Sequence, residues 1–226
     1  MGIILGVNLI GTFKDKMYFR IYNQLKSKSH NFHISNKIHL KNTGGGVKGN
    51  EFYFSGVRNK IIIDKAAQIS NVKFEIIGED NEIRIGKGVI LRNSIIHVGD
   101  RHSRLIIKDS VDVGVDAKWT VLEGAKVQIG KGCMFSTNSH ILSSDSHSIV
   151  KLSSNIRENK AANIIIGERV WFGEDVTCLK GSIIESDSIF GCKSLITAGK
   201  YKKNAVYAGV PCKKIRENIY WEVKRI

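Results

Sequence analysis

Along residues 166–196 the apolar positions recur every six residues. Ile166, Phe172, Cys178, Ile184, Phe190 and Ile196 head successive blocks (IGERVW, FGEDVT, CLKGSI, IESDSI, FGCKSL), usually with a small or polar residue next. Such a period fits neither the roughly 3.6-residue turn of a helix nor the alternation of a strand. It does fit a triangular coil of three short strands, each side turning one residue inward per circuit. The frame recurs upstream in IGKGCM, FSTNSH and ILSSDS, headed by Ile129, Phe135 and Ile141, and again at Ile85 and Leu91. The pattern therefore predicts an all-β chain folded as a parallel β-helix, with three hexads per coil.

The frame also has interruptions. Short aliphatic runs at Ile61, Glu75, Glu82 and Arg104 alternate with Gly, Asp and Asn turns and read as less regular early coils; head positions drift out of phase between His97 and Ile129. After His147 the polar segment SIVKLSSNIRENKAAN, residues 148–163, has no hexad phase. A loop of that length inside a compact repeat is more often functional than accidental. Ile166 lies 19 residues past the head position expected at 147, close to one 18-residue coil, so the loop either projects or replaces a turn. The tail leaves the hexads and turns at Gly209 and Pro211. Ile215, Ile219 and Val223, spaced by four, then predict a C-terminal helix closing the coil. Near the start, Tyr18, Ile21, Tyr22 and Leu25 share one face of an expected amphipathic helix, packed on the coil end or resting on the inner membrane surface. The resulting division is an N-terminal extension over 1–58, a β-helix over 59–200 and a closing segment over 201–226.

Composition adds limits. The chain has 226 residues, 42% of them hydrophobic, and a formal net charge of +14 concentrated toward both ends. No nucleic-acid module accompanies that charge, so anionic metabolites or acidic headgroups are the partners it favours. Cys133, Cys178, Cys192 and Cys212 form no CxxC pattern, and no His cluster has metal-ligand spacing, so neither zinc nor disulfides are expected. Residues 1–13 are apolar but too short to span a bilayer, and no A-x-A site follows; a cytoplasmic protein, at most associated with the inner membrane face, is the expectation. The Gly-rich run at residues 43–49 lacks the Lys-Ser/Thr of a phosphate loop.

The hexads, the SDSH at residues 144–147, the VWFG ending at Gly173 and the AGVP ahead of a basic tail together resemble the left-handed β-helix acyltransferases. Within that family the chain is most similar to bacterial capsule and lipopolysaccharide O-acetyltransferases, over roughly residues 121–216. The left hand of the coil is what the resemblance implies, since parallel crossovers are otherwise right-handed. It also implies acetyl-CoA as donor substrate, a saccharide acceptor and a homotrimer with sites between neighbouring subunits, across which the 148–163 loop would project.

Acyl transfer to a sugar hydroxyl needs a base near neutral pH, and imidazole titrates at about 6.5. The resemblance places that base at His147. Asp145 either shapes the turn or hydrogen-bonds the ring, and Glu123, in VLEGAK, either orients the base or contacts the acceptor. His140 is a competing base, though its place in FSTNSH points to a hexad turn. By the same likeness, Trp171 walls the donor tunnel from an outward corner, amides near Gly173 serve as oxyanion donors, and Ala198 and Gly199 lie along the pantetheine. Lys202, Lys203, Lys213 and Arg216 suit its phosphates by charge. Trp119 either stacks on a sugar or packs inside, and Ser143 is a further candidate acceptor contact. Two rival readings remain: an N-acetyltransferase acting on an amino-sugar nucleotide, and a basic β-helix scaffold without catalysis.

Overall fold

The computed structural model describes residues 9–10, 37–41, 47–64 and 66–226. The expected amphipathic helix at Tyr18 to Leu25 lies outside them. Among the described residues, strands stack into three sheets of nine, seven and nine members, parallel except for the last strand of the chain, with no helix. One circuit runs along the first face at Lys126–Ile129, the second at Met134–Phe135 and the third at His140–Leu142 before returning to the first at Ile164–Ile166. No helix in this part is long and apolar enough to cross a membrane.

Every hexad head points inward. Ile129, Phe135, Ile141, Ile166, Phe172, Cys178, Ile184, Phe190 and Ile196 are each at most 2% exposed. Stacking identical positions at the roughly 4.8 Å strand spacing turns them into columns. The second face carries an aromatic one: ring centroids lie 4.8 Å apart for Phe135 and Phe172, 5.2 Å for Phe172 and Phe190, and 5.3 Å for Phe190 and Tyr207. Polar columns satisfy the corners. Asn81 donates its backbone N–H to Asn59 Oδ1 (3.1 Å), Ser103 donates to Asn81 Oδ1 (2.9 Å), and Gly124 donates to Ser103 Oγ (3.0 Å). Close approach also dictates small residues, since a Cβ on Gly130 would sit 2.1 Å from Gly167 O.

The drifting phase has a metric cause. In the lower coils the first-face register runs Lys60, Glu82, Arg104, Lys126, a step of 22 residues, whereas above the loop Ile165 pairs with Ile183, a step of 18. Third-face strands absorb the excess: Lys73–Glu79 and Ile95–Arg101 have seven residues, Thr177–Leu179 has three. Coils with all three sides six residues long therefore occur only above the insertion.

Two expectations need correction. The tail is not helical: Cys212–Glu217 is a strand antiparallel to Ala205–Gly209. That pairing occupies the open edge of the last coil, which a helix would leave with unpaired backbone groups. Nor does the coil begin at 59 or stop at 200. Glu51–Val57 already pairs with Lys73–Glu79, and Ala205–Gly209 still pairs with Ile189–Phe190.

The loop question is settled by register. Val127 pairs with Ile164 and His140 with Thr177, so the ladder resumes in phase across the extra residues. The insertion projects as a hairpin of Val150–Lys151 against Ile156–Arg157, with Leu152 fully exposed at its tip. Replacing Phe172 with Ala removes the middle of the aromatic column and is expected to cost about 3–5 kcal/mol in urea unfolding. Leu152→Ala, by contrast, should stay within about 0.5 kcal/mol of wild type.

Candidate functional site at the edge of the coil

The third-to-first corner is where the chain leaves the ladder. Ser143 closes the third face with a fully buried hydroxyl that accepts the Leu122 N–H at 2.9 Å. Ser143 is thus a corner fastener and has no surface to offer an acceptor. Four residues on, His147 is exposed, and among the described residues no side chain hydrogen-bonds its ring. Its backbone is well held: its N–H donates to Asp145 O at 2.7 Å, and its own carbonyl accepts from Asn159 Nδ2 at 2.7 Å. The base candidate therefore presents a free imidazole on an anchored turn.

Asp145 takes the turn-shaping role. Its carboxylate receives Lys180 Nζ at 2.5 Å and Asn159 Nδ2 at 2.8 Å, and these two donors, Lys180 first, hold its pKa below the ordinary aspartate value. Glu123 likewise faces a protein partner. Arg157 grips it through two nitrogens at 2.7 and 2.9 Å, and the Ser144 hydroxyl donates to the same carboxylate. With those side chains 25% and 28% exposed, the pair adds on the order of 1 kcal/mol or less to stability. Its larger consequence is geometric, because it ties the hairpin to the corner of the coil below.

Other candidates divide by location. Ala198 and Gly199 stand on the same corner as the His147 loop. Ala162, Gly181 and Ala198 stack there, a Cβ on Gly181 lying 3.0 Å from that of Ala198 and 4.0 Å from that of Ala162, and a Cβ on Gly199 would meet nothing within 4 Å. A smooth strip of small residues thus runs along the coil axis beside the insertion. Trp171 lies elsewhere, half-buried on the second face, with Trp221 of the tail 6.0 Å away and its Nε1 donating to Ser136 Oγ at 3.4 Å. Lys202 and Lys203 follow the last first-face strand, and Lys213 and Arg216 lie on the antiparallel tail strand; all four are exposed. One chain therefore does not bring His147 and Trp171 together, because they belong to different sides of the prism.

Two further roles are overturned. Trp119 is fully buried, donates Nε1–H to Ser139 Oγ at 3.3 Å and lies edge-on to Phe135 at 5.0 Å, so it is core and cannot stack on a sugar. The Gly173 N–H donates to Phe190 O at 2.8 Å and is not free for an oxyanion; a Cβ there would sit 2.8 Å from Cys192 N, which explains the glycine. His140 bonds Asn138 Oδ1 at 3.0 Å, and burial, helped by the Lys118 charge, lowers its pKa. That position on the third face keeps it in the hexad framework. Arg157, Asn159 and Lys180 were not singled out from the sequence. Lys180 was within reach: Leu179 aligns with Leu142, so Lys180 falls beside Ser143 once register is carried across the insertion.

The Glu123 carboxyl is held down at about 2 by Arg157 first and Ser144 second. A folded value below the unfolded one stabilises the fold above the usual carboxylate range, and that contribution disappears as pH falls from about 4.5 toward about 2. The stability advantage of wild type over Glu123→Gln, measured by urea unfolding, should be present near pH 7 and close across that window. An advantage undiminished at the acid end would contradict the pairing.

No protein-family model matches the chain. It is, however, 30% identical over 186 residues to a polysialic acid O-acetyltransferase of Neisseria meningitidis, covering 74% of this chain and 86% of that protein. It is 34% identical over 145 residues to a putative lipopolysaccharide biosynthesis O-acetyl transferase, WbbJ, of Escherichia coli K12, covering 61% and 67% of the two chains. Among solved structures, the polysialic acid O-acetyltransferase OatWY superposes with a TM-score of 0.79 at 26% identity, over 85% of this chain and 90% of that one. The polysialic-acid-specific acetyltransferase NeuO gives 0.78 at 28%, over 84% and 79%. Sequence identity sustained along the same stack of coils leaves one assignment: the chain belongs to the left-handed β-helix, hexapeptide-repeat acyltransferases, in the branch of the capsule and lipopolysaccharide O-acetyltransferases.

Proposed function

We propose that this protein transfers an acetyl group from acetyl-CoA to a hydroxyl of a cell-surface glycan, of capsule or lipopolysaccharide type, or its precursor. The observation that carries the proposal is the free imidazole of His147 on an anchored corner, in a chain whose relatives are named for that reaction. His147 accepts the proton of the acceptor hydroxyl as its oxygen attacks the thioester carbonyl. The C–S bond then breaks, and the same ring returns the proton to the departing thiolate. Direct transfer of this kind needs no acyl-enzyme, which accords with an exposed imidazole that no side chain among the described residues hydrogen-bonds.

The donor groove is best supported along the strip of Ala162, Gly181, Ala198 and Gly199, where small side chains admit a flexible arm close to the backbone. Trp171, Lys213 and Arg216 sit on the second side of the prism, and Lys202 and Lys203 at the end of the first-face strand that Gly199 opens. A homotrimer, in which the hairpin of one subunit crosses to the next, is the assembly that would let them face a neighbour's His147. An assay of the purified protein with acetyl-CoA, offering polysialic acid, O-antigen and an amino-sugar nucleotide side by side, tests the reading by counting acetyl ester formed. His147→Ala should lose about 100- to 10,000-fold in turnover while retaining donor binding. Amide product alone, or full activity in His147→Ala, would overturn it.

A further inference from the structure

Resting on His147 as the base, we infer that Asn159 is a positioning residue that holds the His147 turn in its working geometry through the main chain. Its carboxamide has four partners. Nδ2 donates to Asp145 Oδ2 at 2.8 Å and to His147 O at 2.7 Å, while Oδ1 accepts the Ile149 N–H at 2.7 Å and Arg157 Nε at 3.2 Å. Two acceptors face the NH2 and two donors face the oxygen. The amide orientation is thereby dictated by its surroundings, since the flipped form would oppose like with like at every contact.

Those contacts span the base from both sides. Asp145 lies two residues before it and Ile149 two after, and the His147 carbonyl is held between them. Asn159 is also tied in turn. Its backbone carbonyl accepts Lys180 Nζ at 2.9 Å, the lysine that pairs with Asp145, and Arg157 fastens the same segment to Glu123. The imidazole itself is touched by none of these groups. A residue that fixes the backbone of the base and leaves its ring free acts on the geometry of proton transfer and not on substrate contact, and a misplacement of about 1 Å can cost on the order of 100-fold in rate.

Asn159→Ala should therefore lower kcat by about 10- to 100-fold, with KM for acetyl-CoA within about twofold of wild type. A second readout does not depend on turnover: the ring-proton NMR signal of His147, identified by its loss in His147→Gln. That signal should be a single sharp line in wild type and broadened or multiple in Asn159→Ala. A charge swap supplies the conservative rescue. Asn159→Asp alone sets two carboxylates against each other, whereas Asn159→Asp with Asp145→Asn restores one donor–acceptor pair and should recover about tenfold of the lost turnover. The swap also decides the matter if the alanine variant folds poorly. An unchanged His147 signal with kcat within threefold of wild type, or a swap no better than the single change, would overturn the inference. Full activity of His147→Gln would instead overturn the functional reading, leaving the NMR result to judge Asn159.

Discussion

Everything in this molecule follows from one constraint: each residue lies directly over its counterpart one coil away, at the spacing of hydrogen-bonded strands. Inward positions become columns, so an apolar head must find an apolar head above and below it. The aromatic run Phe135, Phe172, Phe190, Tyr207 and the polar run Asn59, Asn81, Ser103 are two results of the same rule. Glycine at positions 130 and 173 is a third, because neighbouring backbone leaves no room for a Cβ.

The rule also explains where chemistry can be placed. A side chain that must meet a substrate cannot occupy an inward column, and Trp119 and Ser143 fail as binding residues for that reason. Between Leu142 and Ile164 the chain leaves the ladder through an insertion that returns it in phase, as the pairing of Val127 with Ile164 requires. Freed from stacking, that insertion needs other ties. Lys180 and Glu123, on the coils above and below the break, supply them through Asp145, Asn159 and Arg157. Within that exposed turn, the His147 ring is one that no side chain among the described residues hydrogen-bonds.

A prism with three sides distributes its functional groups in space. The strip at Ala198 and Gly199 shares a corner with His147, whereas Trp171, under Trp221, faces away on the second side. Side chains spaced by a whole number of coils share a face, and those spaced otherwise do not. His147 lies in the insertion that leaves the third-to-first corner, whereas Trp171 pairs with Met134 on the second face. The two therefore lie on different sides of one chain.

The amino-acid sequence alone determined the coil and its inward residues from Ile129 onward. A period of six is a local pattern, and each head residue reports its own orientation without reference to distant partners. It also showed the break after His147, a residue that the family resemblance singled out. Only the tertiary structure decided the rest. The 22-residue lower coils were illegible because seven-residue third-face strands shift the phase without changing residue types. Ile215, Ile219 and Val223 keep helical spacing in a tail whose first part, Cys212–Glu217, is a strand, because the open edge of Ala205–Gly209 offers hydrogen bonds that no local pattern records. Asn159 and Lys180 gained their roles from contacts 12 to 35 residues distant, which exist only once the coils are stacked in register.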